Sequence, residues 1–158
     1  MRSVGAKSKF SVAVLALSLA GTVFIQSLEG TKNVAYLDSV GVPTICTGST
    51  RAVRIGQVAS DAECAARLKE DTSSAGAALK RGVTVPVTQE QYDALLSLVF
   101  NIGEGAFMRS TLLVRLNAGR CTEAADQFLR WDYAGGQRLR GLSKRRQAER
   151  NLFLKGCV

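Results

Sequence analysis

Apolar positions run without a charge from residue 10 to residue 25, and the run ends almost at once in Glu29 and Gly30. Beyond it, VAYL and PTIC alternate well enough to be two strands of a small hairpin, joined by a turn at Asp38, Ser39 and Gly41. Residues 51–58 read as a short strand and loop. Ser60-Asp61-Ala62-Glu63 is a capping-box pattern, and the helix it opens is expected to reach residue 79 with Cys64, Leu68, Ala75 and Leu79 on one face. Pro86 breaks the chain. Thr88-Gln89-Glu90-Gln91 then opens the strongest amphipathic helix, because Tyr92, Leu95, Leu96, Val99 and Phe100 recur at helical spacing. Two shorter helices, 110–117 and 122–131, meet at a corner made by Gly119, and Ala134-Gly135-Gly136 marks a loop before a last, strongly basic stretch.

At 158 residues with 46% hydrophobic content, the chain suits one domain with its own core. The net charge is +8, of which Arg2, Lys7 and Lys9 supply three before residue 28. The remainder is only moderately basic. No His is present, which removes His-based metal sites and the usual Ser-His or Cys-His nucleophile machinery. Residues 138–150 hold Arg138, Arg140, Lys144, Arg145, Arg146 and Arg150 against the single acid Glu149. A charge run of this kind is expected to be a solvated helix face, and without interleaved aromatics it does not favour nucleic acid.

Residues 1–28 pair a basic start with the apolar run, so the amino end is expected to stay in the cytoplasm while residues 29–158 are exported to the periplasm. Ser18-Leu19-Ala20 resembles a signal-peptidase site, but the run is long for a simple signal and short for a secure span. A cleaved signal and a temporary inner-membrane anchor both remain open. Because no linker separates the run from Glu29, an anchored chain would hold that carboxyl at the membrane surface.

Glu29 and Asp38 stand nine positions apart, with Thr44 six further on. A carboxyl leaving a helix end beside apolar side chains is favoured as an acid by partial desolvation, whereas a turn Asp met by solvent or backbone donors suits a base. Thr44 would be carried back toward Asp38 by the hairpin, where its hydroxyl could hold a water. An acid, a base and a water between them is what an inverting glycosidase needs. The competing reading makes Glu29 a helix end and Asp38 an ordinary turn residue.

The pattern E-G, Y-x-D and V-G-x-x-T-I-C-x-G resembles the catalytic cradle of the bacteriophage-type lysozymes, the muramidases used as endolysins. QYDALLSLVFNIGEGAF, STLLVRLNAG and RWDYAGGQRLRGLSKRRQAERNLF are similar to further segments of that family in the same order. The resemblance implies a mainly helical, two-lobed α+β fold with a small β-hairpin lobe, preceded by an N-terminal apolar helix. It implies Glu29 as proton donor, Asp38 as base or electrostatic partner and Thr44 as the residue that orients the water. It also places Thr50, Phe100, Asn101 and Ser110 at substrate-facing positions, although Phe100 continues an apolar stripe and Ser110 reads equally as a helix N-cap. Trp131, the only Trp, reads as packing before sugar stacking. Thr47-Gly48-Ser49 departs from relatives that carry an aromatic or His there. One of Arg145 and Arg146 is implied to approach the catalytic Glu.

Weak, small-residue-rich anchors such as residues 1–28 resemble the signal-arrest-release segments of some endolysins. Cys46, Cys64, Cys121 and Cys157 in an exported chain favour two disulfides, and of three possible pairings Cys46–Cys64 with Cys121–Cys157 is expected. The reading is therefore a monomeric muramidase that cuts the β-1,4 bond between N-acetylmuramic acid and N-acetylglucosamine in peptidoglycan, with water as co-substrate and neither metal nor cofactor. A bacterial muramidase serving a secretion machine and a non-catalytic cationic wall-binding protein are the alternatives.

Overall fold

The computed structural model describes residues 5–157, which divide into two compact units, residues 19–73 and residues 5–18 with 74–157.

The first unit opens with helix α1, Leu19–Glu29, which buries Gly21, Thr22 and Ile25. Strands β1, Lys32–Leu37, and β2, Pro43–Cys46, pair antiparallel with Tyr36 opposite Thr44 and a bulge between Lys32 and Tyr36. The other edge of β1 is also occupied: Ala35 N–H donates to the Gln57 carbonyl at 2.9 Å and Ala59 N–H to that of Asn33 at 2.8 Å. Residues 51–58 are therefore turns ending in an isolated bridge between Val34 and Val58, with no strand of their own. Helix α2, Asp61–Asp71, starts on the expected capping box of Ser60 and Glu63. Ala35, Ile45, Cys46, Ala59 and Cys64 make a small core around the Cys46–Cys64 disulfide.

The helix expected to continue to residue 79 is interrupted at Thr72. Its hydroxyl donates to the Leu68 carbonyl at 2.8 Å, closing α2 from the side, and helix α3, Ser73–Gly82, starts afresh. Propensity alone does not reveal such a break, since Thr is tolerated inside helices.

In the second unit the capping box of Thr88 and Gln91 opens α4, Gln89–Ile102, as expected, and every residue from Gln91 to Val99 is buried. Around it stand α5, Glu104–Met108, α6, Thr111–Asn117, α7, Cys121–Gln127, a single 3-10 turn at Phe128–Arg130 and the long α8, Arg140–Leu154. Short α5 was not legible in the pattern; Gly103 at φ +90° lets the chain turn from α4 straight into it. Leu95, Leu98, Phe107, Phe128 and Phe153 are wholly buried in one core, with the rings of Phe128 and Phe153 5.4 Å apart. The expected loop near residue 135 is a hairpin of β3, Tyr133–Ala134, and β4, Gln137–Arg138. Gly135 and Gly136, both at positive φ, supply the two-residue turn that matches strand twist.

Cys121 and Cys157 form the second disulfide, which ties the C-terminal tail to α7. Both pairings are those expected. Closing loops of 18 and 36 residues, they restrict the unfolded chain by about 3 and about 4 kcal/mol. The tail lies close against the capping box of α4, where a Cβ on Gly156 would stand 2.5 Å from Thr88 Oγ1.

The apolar run does not stay one element. Helix α1 begins only at Leu19, and residues 5–18 run along the second unit without helix. Phe10 and Val87 exchange two backbone hydrogen bonds of 2.8 and 2.9 Å, and Val12 is buried in the larger core. Ser18 donates both its backbone N–H and its hydroxyl to the Asp93 carboxylate, and Gln89 donates to Asp93 and to the Ala16 carbonyl. Burial pushes the Asp93 carboxyl above its ordinary value, opposed by the donors on Ser18 and Gln89. A raised folded value means the native state holds this proton more tightly than the unfolded chain. The contribution of Asp93 to stability is thus greatest in acid and falls as pH climbs from the ordinary carboxylate range through the raised value. Urea titrations of Asp93→Asn across that window are expected to show a flatter pH dependence than the parent; an unchanged slope would refute the assignment.

Candidate active site

Helix α1 delivers Glu29 as its last residue, and the side chain is exposed. Gly30, at φ +77°, ends the helix with its N–H on the Gln26 carbonyl at 2.8 Å and turns the chain into β1. The apolar desolvation expected around Glu29 from the sequence is not what its exposure provides.

Asp38 follows β1 directly. Its Oδ1 accepts hydrogen bonds from the backbone N–H groups of Val40 and Val42, at 2.9 and 2.8 Å. Its own N–H donates to the Val42 carbonyl, and Gly41, at φ +83°, donates back to the Asp38 carbonyl. The turn is thus wrapped around the carboxyl group, as Asp and Gly at these positions permit. Thr44 lies across from Tyr36 in β2 and is only 4% exposed. Its hydroxyl donates to the Val42 carbonyl at 2.9 Å. Asp38 and Thr44 are therefore fastened to the two sides of one residue, Val42. That hydrogen of Thr44 being committed, its oxygen can meet a water only as an acceptor.

Glu29, Asp38, Thr44 and Thr50 all belong to the first unit, Thr50 exposed just beyond the tight Ile45–Ser49 bridge. Arg67 steadies that loop, donating to the Ser49 hydroxyl at 3.2 Å and the Arg51 carbonyl at 2.8 Å.

Phe100, Asn101 and Ser110 belong to the second unit. Phe100 is half-buried and packs against the core, as its stripe implied, while Asn101 is exposed and accepts a hydrogen bond from Arg146. Ser110 is buried as the N-cap of α6: it accepts from Leu113 N–H at 3.1 Å and donates to the Phe107 carbonyl at 2.6 Å. It nevertheless lines a cavity of about 420 Å³ with Arg109, Gln127, Arg130 and Trp131.

The basic run is the expected solvated face only in part: Arg138, Arg140 and Lys144 are exposed, but two arginines of the run turn inward. Arg145 and Arg146 are buried, and Glu149 between them is 0% exposed. Glu149 Oε1 accepts from Ser97 at 2.7 Å and from Arg145 at 3.0 Å; its Oε2 stands 3.3 Å from Arg146, in ion-pair range but not aligned for a hydrogen bond. Burial pushes the Glu149 carboxyl up, against the pull of both guanidiniums. The i, i+3 and i, i+4 spacing of the three residues was readable in advance; the burial was not. Among the described residues no group of three or more potential metal ligands comes together.

The phage lysozyme family profile matches residues 26–149. The chain is similar to a SAR-endolysin of Escherichia phage Mu, 40% identical over 92% of this chain and 91% of that protein. An endolysin of Acyrthosiphon pisum secondary endosymbiont phage 1 is 44% identical over 87% of this chain and 97% of its own length. The crystal structure of a P22 lysozyme mutant superposes with a TM-score of 0.85 at 40% identity, covering 89% of this chain and 99% of that one. With its fold and most of its length in agreement, the chain belongs to the phage lysozyme family.

Proposed function

We propose that the chain is an endolysin that hydrolyses the β-1,4 bond between N-acetylmuramic acid and N-acetylglucosamine in peptidoglycan and so lyses the bacterial cell. The observation that carries this reading is that one compact unit holds both the helix-terminal Glu29 and the Asp38–Val42–Thr44 linkage.

In the mechanism Glu29 gives its proton to the glycosidic oxygen as the bond to the anomeric carbon breaks. A water donates its hydrogens toward Asp38 and toward the acceptor side of Thr44, then attacks the anomeric carbon from the opposite face. Asp38 takes the proton the water loses, and the product is inverted. Thr50, Phe100 and Asn101 are the residues proposed to touch glycan; Ser110 acts through the cap it forms.

The test is digestion of purified peptidoglycan by the purified chain, followed by borohydride reduction of the new ends. Reduced muramic acid among the products supports the reading. Reduced glucosamine would make the chain a glucosaminidase, and wall binding with no new ends would make it a cationic wall-binding protein.

Residues 1–28 are proposed to act as an export signal that holds residues 29–158 at the periplasmic face of the inner membrane until it lets go. Support comes from the basic start, the apolar run and the SAR-endolysin name of the Mu relative. No helix among the described residues is long and apolar enough to cross a membrane, and residues 5–18 pack instead on the second unit, as a released chain requires. Inserting Leu residues into the run should lock the protein in the membrane fraction and slow lysis at least about tenfold, because each added Leu favours insertion. Equal lysis by the locked and parent proteins would sink the anchor hypothesis.

A further inference from the structure

Between the turns of residues 51–58 and helix α2, the first unit holds a cavity of about 420 Å³ whose lining includes Gln57, Val58, Glu63, Ala66, Arg67 and Glu70. None of Glu29, Asp38, Thr44 and Thr50 lines it. Arg67 dominates its chemistry. The residue is half-buried, and its Nη1 alone makes its two hydrogen bonds, to the Ser49 hydroxyl and the Arg51 carbonyl. Among the described residues no carboxylate pairs with Arg67 and no acceptor meets its Nε or Nη2. A guanidinium carries five N–H groups, so these donors are left for an oxygen that a ligand brings.

The other polar groups come in both signs. Gln57 accepts from the Arg54 N–H through Oε1, which leaves its amide hydrogens to donate. Glu63 accepts from the Ser60 N–H and Glu70 from Arg51, each through Oε2, so each keeps Oε1 as an acceptor. Arg51 also lines the cavity, whose lining therefore holds two guanidiniums and two carboxylates. An anion would meet Glu63 and Glu70, and a cation would meet Arg51 and Arg67, each at a like-charge cost. A neutral molecule with hydroxyls and carbonyl oxygens answers donors and acceptors alike. Val58, 69% exposed, and Ala66 add apolar surface for a methyl group or a ring face. The volume lies within the roughly 300–1,000 Å³ of ordinary ligand sites and suits a short piece of saccharide.

We infer that this cavity is a second glycan site, which binds a neutral N-acetylated saccharide segment with an acetyl oxygen on Arg67, hydroxyls on Glu63 and Glu70 and an acetyl methyl on Val58. The inference rests on the muramidase reading and deepens it. A peptidoglycan strand whose muramic carboxyls are amide-bonded to peptide is neutral along its sugars, so the first unit holds the polymer at one place while cutting it at another. Such a second hold strengthens binding of a long strand through effective concentration and leaves a short fragment unaffected.

The test titrates the isotope-labelled full chain, carrying Glu29→Gln to prevent cleavage, with tri-N-acetylglucosamine. Saturable shifts of the amide signals of Gln57, Val58, Ala66 and Arg67 are expected, and Ala66→Trp, which fills the cavity from an exposed helix position, should abolish them. With Glu29 intact, Ala66→Trp should raise KM for insoluble peptidoglycan about fivefold with kcat within twofold, the size of one net hydrogen bond. KM for a soluble tetrasaccharide fragment should stay at the parent's value. No shift at those amides, shifts that survive Ala66→Trp, or an unchanged KM on peptidoglycan would overturn the site. Should Ala66→Trp fail to fold, the amide shifts of the Glu29→Gln chain decide alone. If the parent cleaves no peptidoglycan, the muramidase reading falls, and the same shifts and their loss in Ala66→Trp still decide whether the cavity binds saccharide.

Discussion

Glu29→Gln is expected to lower the rate of reducing-end release by about a thousandfold while leaving wall binding and melting temperature near those of the parent. Gln keeps the size and hydrogen-bonding capacity of Glu but has no proton to give, and general acid–base groups contribute about 10²–10⁴ in rate. The small effect on stability follows from position: Glu29 is exposed at the last turn of α1, and its loss opens no cavity. The decisive comparison is kcat against binding. A Gln form that retains more than a tenth of the parent's kcat would mean that some other group protonates the leaving oxygen. A Gln form that is inactive but also unfolded at the assay temperature would point to a structural role instead. Asp38→Asn should leave the turn intact, because an amide oxygen can still accept from Val40 and Val42, so a loss there is likewise chemical.

Glu149→Leu is expected to be the most destabilising single change outside the apolar core, at about 3–5 kcal/mol. Glu149 is wholly buried between Arg145 and Arg146 and accepts from Ser97, so its removal leaves two guanidiniums without the carboxylate they share. For a chain of this size that corresponds to a drop of roughly 10 °C in melting temperature. Glu149→Gln preserves an acceptor for the Ser97 hydroxyl and should fall between Leu and parent. A loss below 1 kcal/mol for the Leu form would show that the cluster is dispensable, as buried ion pairs replaced by apolar side chains sometimes are.

Elements with strong local signals were legible. The two capping boxes open α2 and α4 where Ser60 and Thr88 stand, since the cap bonds join residues three apart and need no distant partner. The hairpin carrying Asp38 and Thr44 was equally readable, because alternation on both sides of an Asp-and-Gly turn sets its strands. Helix α5 and the break at Thr72 were not, as each turns on a single residue whose bonding competes with propensity.

The charge on residues 138–150 was plain in the sequence, and so was the candidate trio of Glu29, Asp38 and Thr44. Local order determines which residue types stand in the cradle, how the turn around Asp38 closes and that four cysteines are present to pair. Tertiary structure decided that Arg145, Arg146 and Glu149 face inward and that the apolar run divides at Ser18 with Asp93 receiving it. The reason is distance along the chain: Ser97 and Glu149 lie 52 residues apart and Ser18 and Asp93 lie 75 apart. Burial and pairing at such separations come from how helices pack, which the pattern on either helix alone does not specify.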